Sequence, residues 1–257
     1  MKSFVAFALE GFPLVQAGDD IAMLIVETAG KEGFEIEDGD VIVIAQKVFS
    51  KAESRVVRLE EVVASKRAFE LAEKTAKDPR FIELVLRETR RILKVSRDIL
   101  LVEDRRGLVC INAGIDKSNI EGKDCYALLP ENPDVSAEKC RVRIGELTGK
   151  SVGVVMCDTY SRPFRRGQVN FAIGVAGVGL FRDYRGREDL FGQVLRVKNV
   201  AVVDEFAAAA ELLMGQAAEA RPVIVLRGLR DVVIRYSRQG VDELRISNEE
   251  DLFKDVL

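Results

Sequence analysis

Val152-Gly153-Val154-Val155-Met156-Cys157, followed by Asp158-Thr159-Tyr160-Ser161-Arg162-Pro163-Phe164-Arg165-Arg166-Gly167-Gln168, is the stretch around which the chain is organised. The first six residues form a short apolar run rich in valine, the signature of a buried strand. The run breaks off in an acid, a hydroxyl and three arginines. A buried strand that carries Asp158 and Thr159 to its tip is one way to hold polar groups rigidly. The acid and the hydroxyl offer oxygen ligands to a hard cation. Arg162, Arg165 and Arg166 offer forked donors to phosphate or carboxylate. The same residues would also serve an ordinary solvated loop, so the decision falls to the rest of the chain.

Bulk properties narrow the chemistry. A chain of 257 residues can bury a full core, and its formal net charge of −3 gives no long-range pull toward nucleic acid or an anionic membrane. An anionic ligand must then be captured by local lysine and arginine clusters. The start, MKSFVAFALEGFPL, is too short and too soon broken for a signal peptide, and no apolar run reaches the length of a membrane span. A cytoplasmic protein is expected. The chain has no histidine, which excludes a histidine-assisted nucleophile, a histidine zinc site and a histidine general base. Cys110, Cys125, Cys140 and Cys157 form no CxxC pair. Cys110 and Cys157 each end an apolar run, which points to core packing. Carboxylates, lysines, arginines and metal ions are left to carry any reaction.

Working outward, strand and helix patterns alternate. Residues 2–9 suggest a strand, and Asp19 a cap for a helix carrying Ile21, Leu24, Ile25 and Thr28. Val41 to Ala45 is a β-branched strand, ending in Gln46-Lys47-Val48-Phe49-Ser50-Lys51. Leu59 to Ala76 favours helix. Asp78-Pro79 restarts one, with Ile82, Val85, Leu86 and Leu93 as its apolar stripe and Arg87, Arg90, Arg91 and Lys94 opposite. Ile99–Val102 and Leu108–Ile111 form a hairpin signal, and Asn112 to Asn119 a polar turn. Residues 120–137 read as loop and Glu138 to Leu147 as a short helix. The glycine-rich run Gly174 to Arg187 permits close backbone approach. Asn199–Val203 reads as strand, Asp204 as the cap of a helix stopped by Gly215, Val223–Leu226 as a core strand and Val232–Tyr236 as another. Ser247 and Glu250 form a capping box for a terminal helix. No repeat and no linker separates two independent domains, so 1–257 is expected to act as a single catalytic unit.

Two nucleotide cradles are excluded. Gly149-Lys150-Ser151 imitates a P-loop, but Ile144 stands where the motif needs a glycine, and the triplet precedes a strand instead of following one. Gly174, Gly177 and Gly179 miss the dinucleotide fingerprint, because Arg182 occupies the place of its last glycine. Three polar clusters remain: Lys47 with Ser50 and Lys51, Asp116 with Asn119, and Asp158 with Thr159. The first suits phosphate oxygens. Asp116 and Asp158 could share a divalent cation with phosphates, although a single aspartate at a strand end is more often a cap or turn residue.

At these residues the chain resembles the coenzyme F-420:L-glutamate ligases of archaea and actinobacteria. The segments are GFPLVQAGDD at 11–20, GDVIVIAQKVFSKAE at 39–53, INAGIDKSN at 111–119, CDTYSRPFRRGQVNFAIGVAG at 157–177, RDYRGREDLFG at 182–192 and DEFAAAAELLMGQ at 204–216. The family-like region covers about 1–228, and residues 230–257 are unassigned. The resemblance implies an α+β fold of mixed sheets with flanking helices, particular to the family and built as an intertwined homodimer. It implies GTP-dependent addition of L-glutamate to the phospholactyl carboxylate of the F-420 precursor through an acyl phosphate, with Mg or Mn and a monovalent cation as a further option. It assigns Asp116, Asp158, Thr159 and Gln216 as metal ligands, with Asp116 and Asp158 catalytic. Gly11, Phe12, Pro13, Leu14, Lys47, Ser50, Lys51 and Asn119 become nucleotide contacts. Arg162, Arg165 and Arg166 are candidates for the acidic substrate. A related amide ligase on another acidic substrate, or a non-catalytic GTP-binding protein, are the alternatives.

Overall fold

A computed structural model describes residues 2–229, 240–247 and 249–251. In chain order the elements are β1 (Val5–Ala8), α1 (Ile21–Lys31), β2 (Val41–Ala45), α2 (Gln46–Ala52), β3 (Val56–Arg58), α3 (Lys66–Thr75), α4 (Pro79–Glu88), β4 (Thr89–Ser96), β5 (Ile99–Asp104) and β6 (Val109–Ile111). They continue with β7 (Cys125–Ala127), α5 (Pro133–Thr148), β8 (Gly153–Ser161), β9 (Gln168–Ala176), β10 (Phe181–Asp183), β11 (Asn199–Ala201), α6 (Val202–Met214) and β12 (Val223–Arg227). The class is α+β, with helices flanking mixed sheets. The residues cluster into two compact units that interleave in sequence. The first holds Met1–Val15, Asp19–Val48 and Asn132–Arg245; the second holds Gln16–Gly18, Phe49–Glu131 and Ile246–Leu257. Among the described residues no helix is long and apolar enough to cross a membrane.

The first unit is built on a five-stranded sheet in the order β1-β12-β2-β8-β9. Only β2 and β8 run parallel. Both begin as uninterrupted apolar runs, as a strand covered on both faces requires, and the antiparallel β12 shares that pattern. Val43 and Val155 share a cluster with Ile224 and with Phe206, Ala207 and Ala210 of α6. The alternate positions Ile42, Ile44, Val154 and Met156 are fully buried as well. Helix α5 packs along β8 and β9, and α1 packs on α5. Asn132 caps α5 by accepting the Val135 amide, Pro133 takes the first turn, and Gly149 ends the helix at φ 70°. A Cβ on Gly174 would lie 2.6 Å from the Pro133 backbone, so this glycine lets β9 and α5 meet.

Strand β9 carries a bulge. Met156 pairs with Gly174, but Cys157 pairs with Ala172, leaving Ile173 as the extra residue. The Ala172 amide is held instead by the Asp204 carboxylate at 3.0 Å. Burial raises the Asp204 pKa, partly offset by that hydrogen bond.

The second unit holds two small antiparallel sheets, β3-β7 and β4-β5-β6, with helices α3 and α4. Its interior contains a closed ionic network. Glu88 accepts from Arg55 at 2.9 Å and from both terminal nitrogens of Arg106 at 3.0 and 2.9 Å. Asp104 accepts from Arg106 Nε at 2.9 Å and from the backbone amides of Arg106 and Leu108 at 2.9 and 2.8 Å. Burial opposes ionisation of Glu88, but the two arginines outweigh it and hold its carboxyl below the usual range. At Asp104 burial prevails and pushes the carboxyl up.

Several local expectations need correction. Asp20, not Asp19, caps α1, accepting the Met23 amide. The segment after Ala45 turns directly into α2 instead of trailing off as a strand end. The helix expected over Leu59–Ala76 is a 3-10 turn at Leu59–Glu61 and then α3, which Ser65 caps. Helix α4 stops at Glu88, so Leu93, Arg90, Arg91 and Lys94 belong to β4. The β-branched Thr89, Ile92 and Val95 and pairing with β5 win over helical spacing there. Strand β7 and the start of α5 fall inside the presumed loop 120–137. Helix α6 begins at Val202, three residues early, and Asp204 supports β9 instead of capping. Val232–Tyr236 lies outside the described residues. The Ser247 amide does reach Glu250 at 3.4 Å, but the terminal helix lies outside them too.

Candidate active site

Strand β8 runs on through Asp158 and Thr159 to Ser161, so both site residues sit on a strand and the loop proper is 162–167. A nine-residue hairpin pair fixes their positions more firmly than a loop tip would. Thr159 pairs with Asn170, and Asp158 with Phe171. Strand alternation puts Thr159 and Asn170 on the face that Cys157 and Ala172 share with α6, and sends Asp158 to the other face. Asp158 and Thr159 are therefore neighbours in sequence that present oxygens on opposite sides of one strand.

Where α6 ends, Gly215 adopts φ 70° and the chain delivers Gln216. The Thr159 hydroxyl lies 3.0 Å from Gln216 Oε1 and 2.9 Å from Asn170 Oδ1. Gln216 Nε2 lies 3.4 Å from Asn170 Oδ1 and 3.3 Å from Glu211 Oε1. Residues 57 positions apart are thus brought together. Asn170 and Glu211 were not expected. A buried carboxamide in phase with Ala172 was the available signal for Asn170, and a glutamate one turn before the Gly215 stop for Glu211.

Around the Thr159 hydroxyl there are more acceptors than protons. One hydroxyl proton stands between two carbonyl oxygens, so one oxygen pair is left facing itself. A cation would satisfy that excess, and the donors are all oxygens, which suits a hard divalent ion. Among the described residues no three His, Cys, Asp or Glu side chains converge on a metal position. Hydroxyl, amide and substrate oxygens would have to complete any coordination. Burial, aided by the Asp158 charge, pushes the Cys157 thiol far up, so it stays protonated and acts as packing. All four cysteines are buried and none forms a disulfide.

The other expected residues are placed as follows. Gly11 stands in a turn at φ 64°, followed by buried Phe12 and exposed Pro13 and Leu14. Gly11 lines a first-unit cleft of about 800 Å³ with Ala8, Lys31 and Arg221. Lys47, Ser50 and Lys51 recur on α2 at the i, i+3, i+4 spacing of one helical face. Ser50 is buried and donates to the Leu128 carbonyl at 2.7 Å. Asp116 bridges to Ala127 in the second unit and accepts from the amide and hydroxyl of Ser118 at 2.9 and 2.7 Å. Asn119 is exposed at φ 56°. Arg165 and Arg166 are exposed, while Arg162 turns back to donate to the Arg166 carbonyl at 3.2 Å.

Comparison with known proteins identifies the family. The chain is 46% identical over 247 residues to a coenzyme F420:L-glutamate ligase of Methanothermobacter thermautotrophicus, covering 96% of this chain and 97% of that one. It is 46% identical over 239 residues to a ligase of the same name from Methanopyrus kandleri, covering 92% of each. To that of Archaeoglobus fulgidus it is 45% identical over 251 residues, covering 98% of this chain and 96% of that one. The family model described as F420-0:Gamma-glutamyl ligase matches residues 11–228, a span that contains every candidate site residue named above, and the chain belongs to that family.

Proposed function

We propose that this chain adds L-glutamate to the phospholactyl carboxylate of the F-420 precursor in a GTP-dependent reaction, acting as one catalytic unit over 1–257 in a cytoplasmic, intertwined homodimer. The observation that carries the reading is the oxygen cluster of Thr159, Asn170 and Gln216 at the end of the β8–β9 hairpin, in a chain matched to the ligase family over residues 11–228.

In the proposed route the tail carboxylate attacks the γ-phosphorus of GTP. The bond to the bridging oxygen breaks, giving an acyl phosphate and GDP. The glutamate amine then attacks the acyl carbon, phosphate leaves, and an amide forms with loss of the amine proton. Repetition of the step would extend a γ-linked tail. Thr159 and Gln216 would hold Mg or Mn on their face of β8, with a monovalent cation as a further option; Asp158, on the opposite face, would serve a separate ion, and Asp116 is assigned to a metal by motif alone. When bound, a divalent cation neutralises charge that develops on phosphoryl oxygens. The hairpin holds Thr159 rigid, so the oxygens need little reorganisation during the reaction. Gly11 to Leu14, Lys47, Ser50, Lys51 and Asn119 are assigned to the nucleotide. The forks of Arg162, Arg165 and Arg166 suit a phosphodiester or a carboxylate. No histidine or covalent enzyme nucleophile is required.

Mass spectrometry of a mixture of protein, F-420 precursor, L-glutamate, GTP and Mn2+ tests the reading. Glutamylated product with stoichiometric GDP is expected, and Asp158→Ala should lower the rate by at least about 100-fold. GTP binding without GDP release would point to a non-catalytic GTP-binding protein. Turnover only with a different carboxylate would point to a related amide ligase.

A further inference from the structure

Asn170 is the one member of the oxygen cluster to which the family motif gives no task. It is 1% exposed, and among the described residues its Nδ2 faces only two sulfurs, Cys157 Sγ at 3.6 Å and Met214 Sδ at 3.9 Å. Sulfur is a weak acceptor, so these contacts do not explain a carboxamide in that place. The explanation lies on its oxygen side.

The orientation of the cluster follows from Glu211. A carboxyl oxygen accepts an amide N–H, so the Gln216 group 3.3 Å from Glu211 Oε1 is the amide nitrogen, and Gln216 Oε1 is turned toward Thr159. Asn170 must then present Oδ1 to Gln216 Nε2, because the opposite orientation would set two amino groups against each other at 3.4 Å. Thr159 has a single proton to give. Asn170 Oδ1, at 2.9 Å, is the acceptor already fixed on the buried side. With the proton directed inward, the lone pairs of Thr159 Oγ1 and Gln216 Oε1 meet at 3.0 Å with no proton between them.

The geometry points to Asn170 as a positioning residue that takes the Thr159 hydroxyl proton and so turns the Thr159 and Gln216 oxygens toward a shared divalent cation. This rests on the cation reading above. Outer groups of this kind orient first ligands, and their loss typically lowers metal affinity about 10- to 100-fold. Asn170 touches no reacting atom, and its effect passes through Thr159 and Gln216.

Mn2+ titration of the full chain, followed by the loss of the free-ion paramagnetic signal with and without GDP, tests the inference. Asn170→Leu keeps the buried volume and removes the acceptor; Asn170→Asp keeps an acceptor toward Thr159. Leucine is expected to weaken Mn2+ binding at least about 10-fold, and aspartate to stay within about threefold of wild type. In turnover, the leucine variant should need more Mn2+ for half-maximal rate while recovering most of kcat at saturating Mn2+. Wild-type affinity in a folded leucine variant, or an equal loss in both variants, overturns the inference. So does failure of both variants to fold, which would make Asn170 a packing residue. If wild type itself binds no Mn2+ in either condition, the cation reading fails and this inference falls with it.

Discussion

The molecule contains two buried polar networks of opposite character. In the second unit, Glu88 and Asp104 are surrounded by the donors of Arg55, Arg106 and two backbone amides. In the first unit, Thr159, Asn170 and Gln216 gather three side-chain oxygens around one hydroxyl proton and one amide nitrogen. The first network is complete within the protein. The second leaves the Thr159 and Gln216 oxygens 3.0 Å apart around a single hydroxyl proton. A closed network spends its charges on holding strands and helices together, whereas an acceptor excess on a rigid hairpin suits the cation site proposed above. Burial and hydrogen-bond number alone would not tell the two apart; the balance of donors and acceptors does.

Breaking the closed network should have the largest effect on stability. Glu88→Ala leaves Arg106 with a buried, partly unpaired charge and is expected to lower unfolding free energy by about 3–5 kcal/mol in urea denaturation. If the variant unfolds at the wild-type midpoint, the network is not structural. A smaller cost is expected at the frame of the open network. Asp204→Ala strands the Ala172 amide beside the β9 bulge and should cost about 1–3 kcal/mol. It should also loosen the strand that carries Asn170, and unchanged stability would show that another group satisfies that amide.

The smallest effect is a pH dependence. The folded pKa of Glu88 is depressed, so its stabilisation is present above its unfolded pKa, about 4.3, and is lost as pH falls through the folded value. The stability gap between wild type and Glu88→Gln should therefore narrow below about pH 4 in acid unfolding series. A gap that stays constant to lower pH would remove the ionised carboxylate from the account.

Much of the fold was legible because several segments obey a single period. Val41–Ala45 and Asp78-Pro79 declare their elements through β-branching and capping alone. The misreadings fall where a non-local partner overrides local pattern. Residues 89–96 carry a helical spacing of Leu93 with Leu86, yet pairing with β5 makes them strand. Cys125–Ala127 is too short to show a period and exists because β3 pairs with it. Asp204 resembles a cap, but its partner is the Ala172 amide, which only the bulge leaves open. In the candidate site, Thr159 and Gln216 were found through family motifs, since 57 residues of separation hide their contact from any local rule. Asn170 stayed hidden because one carboxamide in a strand gives no sign of the proton it accepts. That Asp158 and Thr159 face opposite sides of β8 follows from the strand's extension to Ser161, which the polar residues disguised.

The contrast between the networks is tested most directly by Mn2+ titration of wild type, Thr159→Val and Glu88→Gln, at a temperature where all three are folded. Thr159→Val should bind Mn2+ at least about 10-fold more weakly with a near-wild-type melting temperature, because it removes one oxygen of the open network. Glu88→Gln should melt earlier and bind Mn2+ with wild-type affinity. Unchanged affinity in Thr159→Val, or an equal loss in Glu88→Gln, would contradict the assignment of the β8–β9 hairpin end as the cation site.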